Sequence, residues 1–195
     1  MAEKGNSQDP YPRQIKASDG SEVTIRRMVP EDQDKILAFA SKLPEEDLLF
    51  LRTDITDRQV VRQWADNLKR GHTLTLLAEI SGEIAAYASV HLEQAQWTRR
   101  VGEIRVNVAP RFRGRGLGRR LTAEIFELAK SLRLKKLSAM MTPDQPAARS
   151  AFERLGFQVE AILTDWVEDR AGRVRDVLVM THDISGFSDQ VVANP

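Results

Sequence analysis

The sequence contains no cysteine, which excludes disulfides, thiolate metal sites and a cysteine nucleophile. Its three histidines, His72, His91 and His182, show no metal-ligand spacing, and each reads as a surface or strand-end residue, so no metal is expected. No apolar run approaches the roughly 18 residues that cross a bilayer, and the N-terminus lacks a signal-peptide core. The expected setting is therefore the cytoplasm, with no membrane partner. A bulk excess of positive charge is also missing. The formal net charge of +1 and pI near 8.0 argue against a dedicated nucleic-acid binder, whose domain pI more typically exceeds about 9. The remaining composition, 42% hydrophobic and 29% charged over 195 residues, suits a soluble globular chain with one sizeable core.

The stretch Val106-Asn107-Val108-Ala109-Pro110-Arg111-Phe112-Arg113-Gly114-Arg115-Gly116-Leu117-Gly118-Arg119-Arg120-Leu121 runs from an apolar strand through a Gly and Arg rich turn into a helix. Glycines at alternate positions remove the side chains that would keep a ligand off the backbone. Successive N–H groups can then converge on an anion where a helix presents its unpaired donors. The five arginines at 111, 113, 115, 119 and 120 add local positive charge. A Walker loop is excluded because the turn ends Gly118-Arg119-Arg120 in place of Gly-Lys-Ser/Thr. A dinucleotide fingerprint is excluded because Gly114-x-Gly116-x-Gly118 has the wrong third interval.

Around this stretch the chain reads as an ordered series. Residues 1–20 are polar, with two prolines and two glycines, and are expected to form a flexible or loosely attached arm. A strand over 22–27 leads to a helix started by Pro30-Glu31-Asp32, with Ile36, Leu37, Ala40 and Leu43 as its apolar stripe. Residues 44–55 fit a short helix or a loop, and Thr56-x-x-Gln59 resembles a capping box for a second helix, closed by Gly71. Strands over 73–80 and 84–92 join at Ser81-Gly82, and a third covers 101–108. The cradle helix, with Leu117, Leu121, Ile125, Leu128 and Leu132, precedes a strand over 136–141. Asp144-Gln145-Pro146 then starts a helix that Gly156 ends. A hairpin of 157–167 and 173–180 follows, and 183–195 form a tail.

Arg111-x-x-Gly114-x-Gly116, on a strand-to-helix turn, resembles the pyrophosphate loop of the GNAT superfamily of acetyl-CoA-dependent N-acetyltransferases. Gln145-x-x-Ala148-x-x-x-Phe152-Glu153-Arg154-Leu155-Gly156-Phe157 resembles that family's later signature, and the element order agrees over residues 21–182. The resemblance implies an α/β GNAT fold: a mixed central sheet of about seven strands, helices on both faces, and a splay between the fourth and fifth strands. It implies acetyl-CoA as co-substrate and a primary-amine acceptor. The lean is slight, toward bacterial protein-lysine acetyltransferase domains, with small amines open. Val106 and Val108 would pair with the pantetheine arm, the N–H groups from Arg113 to Gly118 would hold the diphosphate, and Asn107, Arg111, Arg115, Leu117, Arg119, Gln145 and Phe152 complete the expected donor site. Gln145 stands where the family usually has Asn, and Phe152 stands where a Tyr often protonates the departing thiolate. Homodimers are frequent in the superfamily, and the edge of the last hairpin is a candidate surface.

Strand parity selects the base. Ile104, Val106 and Val108 point one way along 101–108, while Glu103, Arg105 and Asn107 point the other. A central strand covered on both faces is normally apolar on both, so a polar face implies a cleft. Glu103 matches the catalytic glutamate position of several lysine-directed GNAT enzymes, and the alternative is a structural glutamate paired with Arg105. Tyr87 reads as an amphipathic strand residue with a wet hydroxyl. Trp64, Trp97 and Trp166 read as packing residues, with Trp97 also a candidate acceptor contact. Two other readings stand beside catalysis: a non-catalytic acyl-CoA-binding regulatory module, favoured by Phe152 and opposed by Glu103, and nucleic-acid binding through Arg111 to Arg120, opposed by the near-neutral charge.

Overall fold

The computed structural model describes residues 9–49, 53–92, 95–169 and 172–184. Eight strands form one sheet: β1 (Arg13–Lys16), β2 (Glu22–Arg27), β3 (Thr73–Ile80), β4 (Glu83–Leu92), β5 (Val101–Val108), β6 (Lys136–Met141), β7 (Gln158–Glu168) and β8 (Val174–Asp183). Their spatial order is β1-β2-β3-β4-β5-β6-β8-β7, antiparallel throughout except for the parallel pair β5 and β6. The strand beyond the expected seven is β1. It lies inside the segment read as an arm, where RQIK after Pro12 is too short and polar to announce itself. Tyr11 and Arg13 tie this segment to the buried Glu124, by a hydroxyl bond of 2.9 Å and a guanidinium bond of 3.0 Å.

The helices are α1 (Gln33–Ala40), α2 (Glu45–Leu49), α3 (Arg58–Lys69), α4 (Leu117–Ser131) and α5 (Pro146–Arg154). The cap of α3 is Asp57, one residue later than the capping-box reading, because its carboxylate accepts from Gln59 N–H at 2.7 Å while Thr56 Oγ1 turns to Asp54. Two layers flank the sheet. On one face α1 and α3 cover β3 and β4, with Phe39 and Trp64 edge-on to Tyr87 at 5.6 and 5.2 Å. On the other face α4 buries Leu117, Leu121, Ile125 and Leu128. Its Gly118 lets the helix lie close on β5: a Cβ there would sit 3.4 Å from Val108 Cγ2.

The buried face contradicts the wet hydroxyl read for Tyr87. Its side chain is fully enclosed, since β4 is covered on both faces, and burial pushes its hydroxyl up to about 12. That hydroxyl bonds the side chain of Asn107, its cross-strand neighbour on β5. Of the three tryptophans only Trp64 packs as read, donating to Thr75 Oγ1 at 3.1 Å. Trp97 and Trp166 are 90% and 61% exposed. The C-terminal tail beyond Ile184 lies outside the described residues.

Candidate active site

The sheet itself opens the site. Pairing between β5 and β6 is confined to Val101 with Lys136, Gly102 with Leu137 and Glu103 with Ser138. Beyond Glu103 the strands run on unpaired to Val108 and Met141, and a cavity lined by Glu103, Arg105, Asn107, Ala139 and Met141 fills the gap. A groove of about 840 Å³ continues from this gap, past the Gly and Arg rich loop, along α5.

Backbone geometry builds the groove's anion end. Gly114 and Gly116 take left-handed φ values of 75° and 79°, a region other residues enter only under strain. Gly116 caps α4 without any side-chain bond, and the first intrahelical bond runs from Arg120 N–H to Gly116 O at 3.0 Å. The N–H groups of Leu117, Gly118 and Arg119 precede that bond, so they are the donors a helix start offers to an anion. From behind, the turn between β1 and β2 takes hold of the loop. Ser18 N–H donates to Arg115 O at 3.2 Å, and Ser18 Oγ to Gly114 O at 3.5 Å. A trans peptide points its C=O and N–H in opposite directions. Carbonyls held from the rear therefore aim the N–H groups of Arg115 and Gly116 toward the groove that Gly114 and Gly116 line.

The arginines divide. Arg113 and Arg119 line the groove, as does Arg154, which the motif reading did not single out. Arg111 instead pairs with Glu83 and stacks 4.4 Å over Phe112. Arg115 bonds Asp19 at 2.8 Å and Ser21 Oγ at 3.3 Å, and Arg120 bonds Glu124 at 2.9 Å. The side chains of Arg111 and Arg115 thus leave the cradle expected of them, because acids on β4 and on the β1 to β2 turn compete for them. Val106, Asn107, Val108, Gly114, Gly116, Leu117, Gly118, Gln145 and Phe152 all line the groove.

Three further features fit an extended anionic thioester. The backbone of β5 beyond the splay is available as a strand edge. The α5 helix has no fully buried residue, and Ala148, Ala151, Phe152 and Leu155 line the groove half-covered, so an apolar arm has a surface to bury. The groove's acid Asp144 is neutralised by Arg175 at 2.7 Å. The Thr142 hydroxyl first, and then that arginine, hold its carboxyl below the usual carboxylate range. Comparison with known proteins decides the family: the sequence model of the acetyltransferase (GNAT) family matches residues 27–157. This chain belongs to the GNAT acetyltransferase family. The GNAT chain is an acyltransferase, and acetyl-CoA is its co-substrate. Among solved structures it is similar to a ribosomal-protein-alanine N-acetyltransferase from Brucella melitensis, with 27% identity over 82% of this chain and 98% of that one, TM-score 0.71. A GNAT acetyltransferase from Streptococcus pneumoniae has 22% identity over 83% and 99%, TM-score 0.72. The yncA protein of Salmonella typhimurium, solved with its cofactor acetyl-CoA, has 21% identity over 85% and 96%, TM-score 0.72.

Glu103 lines the cavity where the ladder ends, and its carboxylate also accepts from Arg105 Nε at 2.8 Å, so the contact of the alternative reading exists as well. Its cross-strand neighbour on β4 is His91, whose ring nitrogens bond Thr73 Oγ1 at 3.2 Å and Ser89 Oγ at 2.9 Å. Phe152 packs edge-on against Phe157 at 4.9 Å, so no proton donor stands at that position. Asp47, on the short α2, lines both the cavity and the groove and pairs with Arg113. Sequence reasoning missed it because residues 44–55 carried no decisive period. Among the described residues no cluster of His, Asp and Glu could hold a metal ion, and no helix is long and apolar enough to cross a membrane.

Proposed function

We propose that this GNAT enzyme transfers the acetyl group of acetyl-CoA to a primary amine by direct attack, with Glu103 as the general base. The observation that carries the reading is the half-buried Glu103 carboxylate at the point where β5 and β6 part, inside the cavity that adjoins the donor groove. A lysine-like ammonium must lose a proton before it can attack, which costs roughly 4 to 5 kcal/mol at pH 7. Glu103 accepts that proton while the nitrogen forms its bond to the acetyl carbon. The thioester C–S bond then breaks and the thiolate leaves. With Phe152 unable to donate, the thiolate leaves as an anion and takes its proton from solvent, a modest handicap for a thiol of pKa near 8.5.

In the same reading the β5 backbone at Val106 and Val108 pairs with the pantetheine arm, and the N–H groups from Arg113 to Gly118 hold the diphosphate. The acceptor class is a protein lysine or a small amine. A second copy of the chain packs on the outermost strand β7, where Ile162 and Trp166 are 57% and 61% exposed beside Val174 at 54%. Large apolar side chains on an uncovered edge strand are what an interface buries. The deciding experiment is the pH–rate profile of Glu103→Gln with acetyl-CoA and a lysine peptide. The variant should lose most activity near neutral pH and recover at alkaline pH, where the amine sheds its own proton. A profile parallel to that of the unaltered enzyme would remove Glu103 from the mechanism.

A further inference from the structure

Among the described residues Asp47 is the acid that lines both the splay cavity and the donor groove. Its side chain is only 17% exposed, and its partner there is Arg113. The same arginine reaches back to β5, where its Nε donates to Val108 O at 3.1 Å. Arg113 therefore bridges β5 and α2 across the line along which a pantetheine arm would lie. An arm paired with the β5 edge takes the Val108 carbonyl, and a diphosphate in the neighbouring loop attracts the guanidinium. Both changes draw Arg113 away from Asp47.

The remaining charges around the splay are then uneven. The titratable side chains lining that cavity are Asp47, Glu103 and Arg105, two carboxylates and one guanidinium, for a net charge of −1. Arg105 is bonded to Glu103 at 2.8 Å. A half-buried carboxylate that loses a cationic partner favours another cation in its place. We propose that Asp47 is a specificity residue that receives the positively charged acceptor amine, and that Arg113 holds this position until the donor arrives. The proposal rests on the amine-acceptor reading above. It adds that the acceptor is cationic on arrival, that donor binding comes first, and that the ammonium passes from Asp47 to Glu103 within one cavity.

Spermidine is a suitable probe, titrated calorimetrically into the full chain with and without saturating CoA, which carries no acetyl group to transfer. Spermidine should bind the CoA complex about tenfold or more tightly than the free protein, the size of a charge-assisted contact. Asp47→Asn should lose about that factor in the CoA complex at equal CoA saturation. Arg113→Ala should bind spermidine more tightly than the unaltered protein when no CoA is present. Equal affinities with and without CoA, or an Asp47→Asn complex that binds spermidine as well as the unaltered one, would overturn the proposal. Failure of CoA to shift the melting temperature would instead strike the donor-site reading, and the CoA-free Arg113→Ala titration would then decide the role of Asp47. Spermidine bound in the predicted pattern with no turnover of any amine would strike amine acetylation and leave the Asp47 site standing.

Discussion

The arginines of the loop allow a graded test, because the bare motif treats them alike and the structure does not. Arg119 stands on the first turn of α4 and lines the groove, whereas Arg111 is turned to Glu83 on β4. A guanidinium that bonds a phosphate contributes about 1.5 to 3 kcal/mol, so Arg119→Ala should weaken CoA binding about 10 to 150-fold. The loss should shrink as salt is raised, since the interaction is between exposed charges. Arg111→Ala removes an exposed ion pair of a kind that contributes about 0 to 1 kcal/mol to stability, and its effect on CoA affinity should stay within about twofold. Arg115→Ala should fall between them, because its side chain holds Asp19 and Ser21 behind the loop. Calorimetric titration of CoA into the three variants at two salt concentrations measures all of this. Equal losses for Arg111 and Arg119 would refute the division, as would a larger loss for Arg111.

Two further perturbations address stability and assembly. Arg26 lies between Asp32 and Glu79, bonding each at 2.7 Å, with Lys35 also on Glu79 at 2.9 Å. Burial works against the Asp32 anion, but the Arg26 bonds outweigh it, and Arg26 foremost holds Glu79 below the usual carboxylate range. Carboxyls depressed by folding add stability that is present above their unfolded pKa of about 4 and is lost as pH falls through the lower folded values. Arg26→Met removes the cause and leaves Asp32 enclosed, so it should cost about 3 to 5 kcal/mol at pH 7 and proportionately less near pH 3, read from urea midpoints. A deficit that stays constant with pH would refute this. For assembly, Ile162→Lys with Trp166→Glu should convert a sedimenting dimer to a monomer with its fold intact, and an unchanged sedimentation coefficient would exclude β7 as the contact.

Much of the fold was legible because its signals are local. Gly71, Gly114, Gly116 and Gly156 all adopt positive φ, and Ser81-Gly82 turns β3 into β4 with both residues left-handed, as the turn chemistry required. The β5 parity reading also matched the structure: Glu103, Arg105 and Asn107 line a cavity. What escaped was set by tertiary partners. The exposure of Tyr87 depends on helices α1 and α3 closing over β4, which strand alternation does not encode. The directions of Arg111 and Arg115 depend on Glu83 and Asp19, far away in the chain. Trp166 was taken for packing on composition, yet it lies on the last strand of the sheet, where no helix covers it. Asp47 sits on a five-residue helix too short to show a period.

Similarity to the family begins at residue 27, while the contacts behind the glycine loop come from Ser18 to Ser21. A fragment cut at the similarity boundary would keep every groove-lining side chain and lose the rear anchor of the Gly114 and Arg115 carbonyls. Its loop peptides would be free to rotate, and each new orientation would swing a donor out of line. Recombinant versions of this enzyme intended for donor binding should accordingly retain the upstream turn.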